Sequence, residues 1–155
     1  MAIKASLFEI KKDLELPLGS LIRQGESWLM RVQMKEFGQA HELTLIIAGQ
    51  NIGEINDMGR PTKCVTLSPE VRLEVRIDGP IEGPSVPPVG ALVWSAEGKR
   101  QAINTKFAVA VTMDGQESSD FPRERAFYAP HWSIWPVDDA GKALTGEPLF
   151  TVKVA

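Results

Sequence analysis

Between residues 127 and 139 the sequence reads FYAPHWSIWPVDD, which sets Phe127, Tyr128, Trp132 and Trp135 around His131 and ends on Asp138 and Asp139. Flat rings beside hydrogen-bonding side chains support two kinds of recognition. Tryptophan and tyrosine anchor protein contacts where their rings are desolvated. An exposed ring can also stack on a sugar while neighbouring acids bind its hydroxyls. The same residue types build cores, and Tyr128, Trp132 and Ile134 under a sheet would leave His131 as a satisfied polar group at the rim. Tyr128, His131, Trp132, Trp135, Asp138 and Asp139 are therefore the candidate interface or ligand-binding residues.

Covalent chemistry has few carriers. Nucleophilic catalysis needs a hydroxyl or thiol beside a base, and the chain holds only two histidines, His41 and His131, and a single cysteine, Cys64. Ser20, in Leu18-Gly19-Ser20-Leu21, lacks the second glycine of a nucleophile elbow. A Cys64–His131 pair would have to be assembled by folding, and a lone cysteine is expected to act as a small buried hydrophobe. Neither Gly98-Lys99 nor Gly141-Lys142 has the flanking residues of a phosphate-binding loop, and no Gly-x-Gly-x-x-Gly occurs.

Metal and acid–base sites fare similarly. Two histidines and one cysteine do not furnish a structural zinc set, and the turn at 138–141 lacks the ligand spacing of an EF-hand loop. The oxygen-rich loops at 56–57, 114–120 and 138–139 would hold calcium only by meeting at one end of the fold. Asp138 and Glu147 are examples of carboxylates that could pair across a cleft, but that chemistry depends on a separation the sequence does not supply. No catalytic residue, metal ligand or cofactor is assigned from the sequence.

The elements that must position these residues read as strands. The chain of 155 residues has 43% hydrophobic and 24% charged residues, the balance of an ordinary globular protein of one domain. Seventeen basic residues against twenty acidic ones give a net charge of −3, and the basic residues are scattered singly. That distribution argues against a nucleic-acid partner. No apolar run has the length of a membrane span, no secretory signal pattern opens the chain, and no Asn-x-Ser/Thr occurs. The expected location is the cytoplasm or an assembled particle.

Period-two alternation is clearest in EVRLEVRID at 70–78, where Val71, Leu73, Val75 and Ile77 face one way and the charges the other. Further strands are predicted at 3–10, 28–35, 43–48, 91–95, 107–113 and 149–154. At 28–35, Trp28, Met30, Val32 and Met34 share a face and Leu29 breaks the pattern. Residues 17–24 could make two helical turns and 122–127 one. If 127–135 is one strand, both its faces carry rings, and Pro130 and Pro136 favour a sheet edge because they lack the donor a central strand needs.

Residues 79–90 hold four prolines and three glycines in twelve positions. Such a run cannot be a central strand and reads as a long crossover between two sheets. The expectation is a single all-β domain over 1–155, an antiparallel β-sandwich or jelly-roll-like barrel of about seven or eight strands with little helix.

Missing catalytic constellations and an aromatic strand together predict a non-catalytic structural or assembly subunit, a coat, tail or scaffold component, acting by protein–protein association with itself or another protein. The alternative is a carbohydrate-binding module using 127–135, with a glycan as partner. A small β-barrel enzyme with carboxylate chemistry is the third.

Overall fold

Alternation at 70–78 becomes β7 (Arg72–Ile77), whose apolar residues Val75 and Ile77 pack on the core while Arg72, Glu74 and Arg76 lie on the opposite face. The computed structural model describes residues 5–12, 16–36, 39–57, 63–107 and 109–154. Parts of the predicted strands at 3–10 and 107–113, and of the turn at 56–59, lie outside them.

Fifteen strands form three open antiparallel sheets in a sandwich-like, all-β arrangement, and the described residues contain one 3-10 turn, Ala5–Leu7, but no α-helix. The strand count exceeds the seven or eight expected because strands also form at 21–24, 55–56, 63–67, 82–85, 101–104 and 117–118, where none was expected, and because the run at 127–135 is divided in two. The first sheet comprises β1 (Phe8–Lys12), β2 (Leu21–Gln24), β3 (Ser27–Glu36), β4 (Gln39–Ala48), β5 (Ile55–Asn56) and β6 (Lys63–Leu67), in the order β1-β6-β2-β3-β4-β5. The second comprises β8 (Glu82–Ser85), β9 (Leu92–Trp94), β10 (Gln101–Asn104), β11 (Ala110–Thr112), β12 (Glu117–Ser118) and β13 (Ala126–Ala129), in the order β12-β11-β10-β9-β13-β8. The third places β14 (His131–Val137) between β15 (Phe150–Lys153) and β7.

All three sheets contribute to one core. Trp28, Met30 and Val32 from β3 meet Leu92 and Ile103 of the second sheet and Trp132, Ile134 and Val152 of the third. Trp28 lies 5.3 Å from Phe150 between ring centroids, and Phe150 meets Trp132 edge-on at 6.2 Å, a chain of aromatic contacts through the centre.

The first sheet is covered on its other face as well. Leu29, which breaks the pattern of β3, packs there with Leu16, Ile22, Ile46 and Cys64. This explains the failure of the helix predicted at 17–24. Leu21 and Ile22 are adjacent and both buried, one against each face of the sheet, so a strand satisfies both where an isolated short helix would not. The turn predicted at 122–127 is irregular and leads into β13.

Two of the junctions between the sheets frame the aromatic stretch and the edge of β3. Beyond the start of β2, the free side of β3 takes up the loop before β12: Gln33 N–H donates to Gly115 O at 2.7 Å and Lys35 N–H to a Glu117 carboxylate oxygen at 2.7 Å. The other junction is a corner. β7 pairs with β14 and β8 with β13, so the chain from β7 to β8 runs antiparallel to the chain from β13 to β14 across Pro130. Residues 79–90 thus carry the chain from the third sheet to the second and lend β8 to the latter as an edge strand.

Candidate interaction face

The stretch 127–135 is two strands of different sheets, divided at Pro130, and the division decides what each ring does. Within β14, Trp132 and Ile134 point into the core, and Trp132 is fully buried with its Nε1–H donating to Gly90 O at 3.0 Å. His131, Ser133 and Trp135 alternate onto the outer face. In β13, Tyr128 packs with Phe121, Ala126 and Val93 on the side of the second sheet away from the main core, and Phe127 is 53% exposed. Tyr128 and Trp132 therefore do not share a surface.

β14 is central, not an edge, and hydrogen-bond parity explains how it keeps Pro136. Asp78 N–H donates to His131 O at 3.0 Å, marking His131 and Asp78 as a bonded pair. Bonded and non-bonded pairs alternate along an antiparallel ladder, so odd-numbered residues of β14 bond toward β7 and even-numbered ones toward β15. Pairing with β15 ends at Ile134–Phe150, so the nitrogen of Pro136 faces a side with no ladder to complete.

The outer face of the third sheet gathers side chains from three strands. Glu74 lies directly opposite Trp135, Arg76 opposite Ser133, and Lys153 opposite His131. The Arg76 guanidinium sits 4.6 Å from the Trp135 ring centroid and its Nε–H donates to Glu74 Oε1 at 2.9 Å. Trp135 Nε1–H donates to Ser133 Oγ at 3.0 Å. The Trp135 ring is thus half-buried, clamped by a cation and oriented by a hydroxyl. Arg72 completes the row, its Nη1 donating to the carbonyl of Asp139 at 3.0 Å.

Asp138 serves its own turn. One carboxylate oxygen accepts from the backbone N–H groups of Ala140 and Lys142, both at 2.9 Å, closing the hairpin that follows β14. Asp139 is exposed. The structure therefore brings His131 and Trp135 to one face, sends Trp132 and Tyr128 into packing, and places Asp138 and Asp139 in the adjoining turn. The alternation set Ser133 on the face of Trp135, but sequence reasoning missed Arg72, Glu74, Arg76 and Lys153 as companions of Trp135. The signal was the wet face of 70–78, but which strand lies beside it is not written in the alternation.

Other arrangements considered from sequence are not assembled. Cys64 lies in the cluster on the far side of the first sheet and His131 on the outer face of the third. Asp57 and Glu117 both line a cleft of about 410 Å³, together with Met34, Leu43, Ile55 and Val109. Asp138 and Asp139 are not among its lining residues. Among the described residues no group of three or more His, Cys, Asp or Glu side chains is placed to hold a metal ion, and no helix is long and apolar enough to cross a membrane. The chain matches no known protein family, no characterised protein and no solved structure.

Proposed function

We propose that this protein is a non-catalytic assembly subunit that docks a protein surface through the outer face of its third sheet. The observation that carries the reading is the Arg76–Trp135 stack on a sheet face. Tryptophan and arginine are the residues most enriched at energetic centres of protein interfaces, and here the pair is held in place before any partner arrives. Arg72, Arg76 and Lys153 share this face with Glu74 and with Asp78, which stands opposite His131, so charges of both signs surround the stack. Such a face complements a surface that also carries charges of both signs, on another protein or on a second copy.

The aromatic stretch supports glycan binding less well. One face of the Trp135 ring is covered by Arg76, and the Asp138 carboxylate is already accepting from its turn. Asp57 and Glu117 line one cleft, where a Glu117 oxygen is already held by the Lys35 backbone.

Light scattering after size-exclusion chromatography, over a range of protein and salt concentrations, combined with retrieval of partners by the immobilised protein, tests the reading. Salt-sensitive association that Trp135→Ala or Arg76→Glu abolishes is expected. A monomer that retrieves no partner sensitive to either substitution overturns it.

A further inference from the structure

On the outer side of the first sheet a second cleft of about 410 Å³ opens over Leu29 and Ile46. Four carboxamides surround it: Gln24 at the end of β2, Gln50 and Asn51 in the turn after β4, and Asn56 on β5. None of the four is hydrogen-bonded to another described side chain or backbone group. Ser27 and Thr44 add hydroxyls between them, and Thr44 is already oriented by donating to Asn56 O at 3.1 Å.

The walls are built in advance. The turn from β4 to β5 is tied by Gly53 N–H to Ile46 O at 2.8 Å, Ile46 N–H to Glu54 O at 2.9 Å and Glu54 N–H to Asn51 O at 3.1 Å. Its far side is pinned to the loop after β10, where Lys106 N–H donates to Gly53 O at 3.0 Å and Lys106 Nζ pairs with Glu54 at 2.9 Å. Gly53 packs so closely on Val89 that no Cβ would fit. Asn51, with φ of 61°, is the only described non-glycine residue in the left-handed region, which fixes the backbone direction at the rim. A bulge between Trp28 and Leu29 bends β3 and β4 where they form the floor.

The chemistry of the lining selects its ligand. Carboxamides donate and accept but carry no charge, so they complement hydroxyls, which do the same. Among the described residues the lining contains no cation to hold a phosphate or carboxylate. The apolar floor of Leu29 and Ile46 suits the C–H face of a sugar ring. From these features we infer that the cleft over Leu29 and Ile46 binds a neutral saccharide through Gln24, Gln50, Asn51 and Asn56. This site is separate from the Trp135 face and does not rest on the association reading.

The test is side-chain amide NMR of the isotopically labelled protein, titrated with neutral malto-, cello- and chito-oligosaccharides and with inorganic phosphate as the ionic control. Saturable shifts of the Gln24, Gln50, Asn51 and Asn56 NH2 signals with at least one neutral sugar are expected, without response to phosphate. Removing two of the amides in a Gln50→Ala/Asn56→Ala variant should weaken binding by about tenfold or more, while Trp135→Ala leaves it unchanged. Both substituted residues are exposed, and retention of the backbone spectrum checks the fold. The inference is overturned if no sugar in the panel moves these signals, if phosphate moves them equally, or if the double variant binds as well as the parent.

Discussion

Arg76 and Trp135, on neighbouring strands of the third sheet, form a stack at 4.6 Å whose ring nitrogen is held by Ser133 and whose cation is held by Glu74. Four side chains from two strands fix one aromatic surface on the outside of the molecule. Three residues earlier on the same strand, Trp132 lies wholly in the core.

The two tryptophans should differ sharply in their effect on stability. Trp132→Ala removes a fully buried ring and its bond to Gly90 and should cost about 3–5 kcal/mol. Trp135→Ala removes an outer-face ring and a cation–π contact and should cost about 1 kcal/mol. Urea unfolding midpoints check this; equal costs would mean that the register of β14 is misassigned.

Asp138→Ala should loosen the hairpin after β14 by about 1 kcal/mol, since two backbone donors lose their acceptor. Amide exchange at Ala140 and Lys142 should accelerate while exchange in β3 is unaffected. Unchanged exchange at both amides would remove the turn role assigned to Asp138.

Glycine substitutions separate crowding from conformation. Gly115 has φ of +83° and a Cβ there would stand 2.5 Å from Arg31 O and 2.6 Å from Gly19 N, at the junction of the first and second sheets. Gly98 has φ of +73° with nothing within 4 Å. Gly98→Ala should cost only the left-handed penalty, about 1–2 kcal/mol, and Gly115→Ala clearly more. Thermal denaturation of the two variants side by side decides it.

Arg31 and Glu42 form an asymmetric pair across β3 and β4. The Arg31 side chain is 3% exposed and Glu42 is 54% exposed, with 2.7 Å between them, and Arg31 Nε has no partner. Glu42→Ala strands a buried guanidinium and should cost about 1.5–3 kcal/mol. Arg31→Met removes the charge together with its unsatisfied nitrogen and should cost less. The reverse order in chemical denaturation would refute the desolvation argument.

Cys64, buried in the cluster on the far side of the first sheet, should resist thiol reagents in the native protein. Ellman's reagent should react at the rate of unfolding, and rapid stoichiometric reaction without denaturant would contradict its burial.

Local pattern was enough to find β15, whose dry and wet faces alternate, and to place β7, although Leu73, expected on its dry face, is 40% exposed. The same rule located Trp28, Met30 and Val32 on the core side of β3. It did not explain Leu29, which is buried on the other face of the first sheet among Leu16, Ile22, Ile46 and Cys64. Nor did it identify β2, where Leu21 and Ile22 spaced with Leu18 imitate a helical face.

The aromatic stretch marks the limit. The sequence by itself determined that this is a β protein, that rings cluster near His131, and that no contiguous catalytic motif accompanies them. Only the tertiary structure decided that Pro130 is a corner between sheets, that β14 is central with Pro136 at its unpaired side, and that Trp135 faces outward against Arg76 while Trp132 faces inward. The physical reason is register. A shift of one residue exchanges the two faces of a strand, and register is set by pairing between segments some sixty residues apart, such as β7 and β14, which no local spacing encodes.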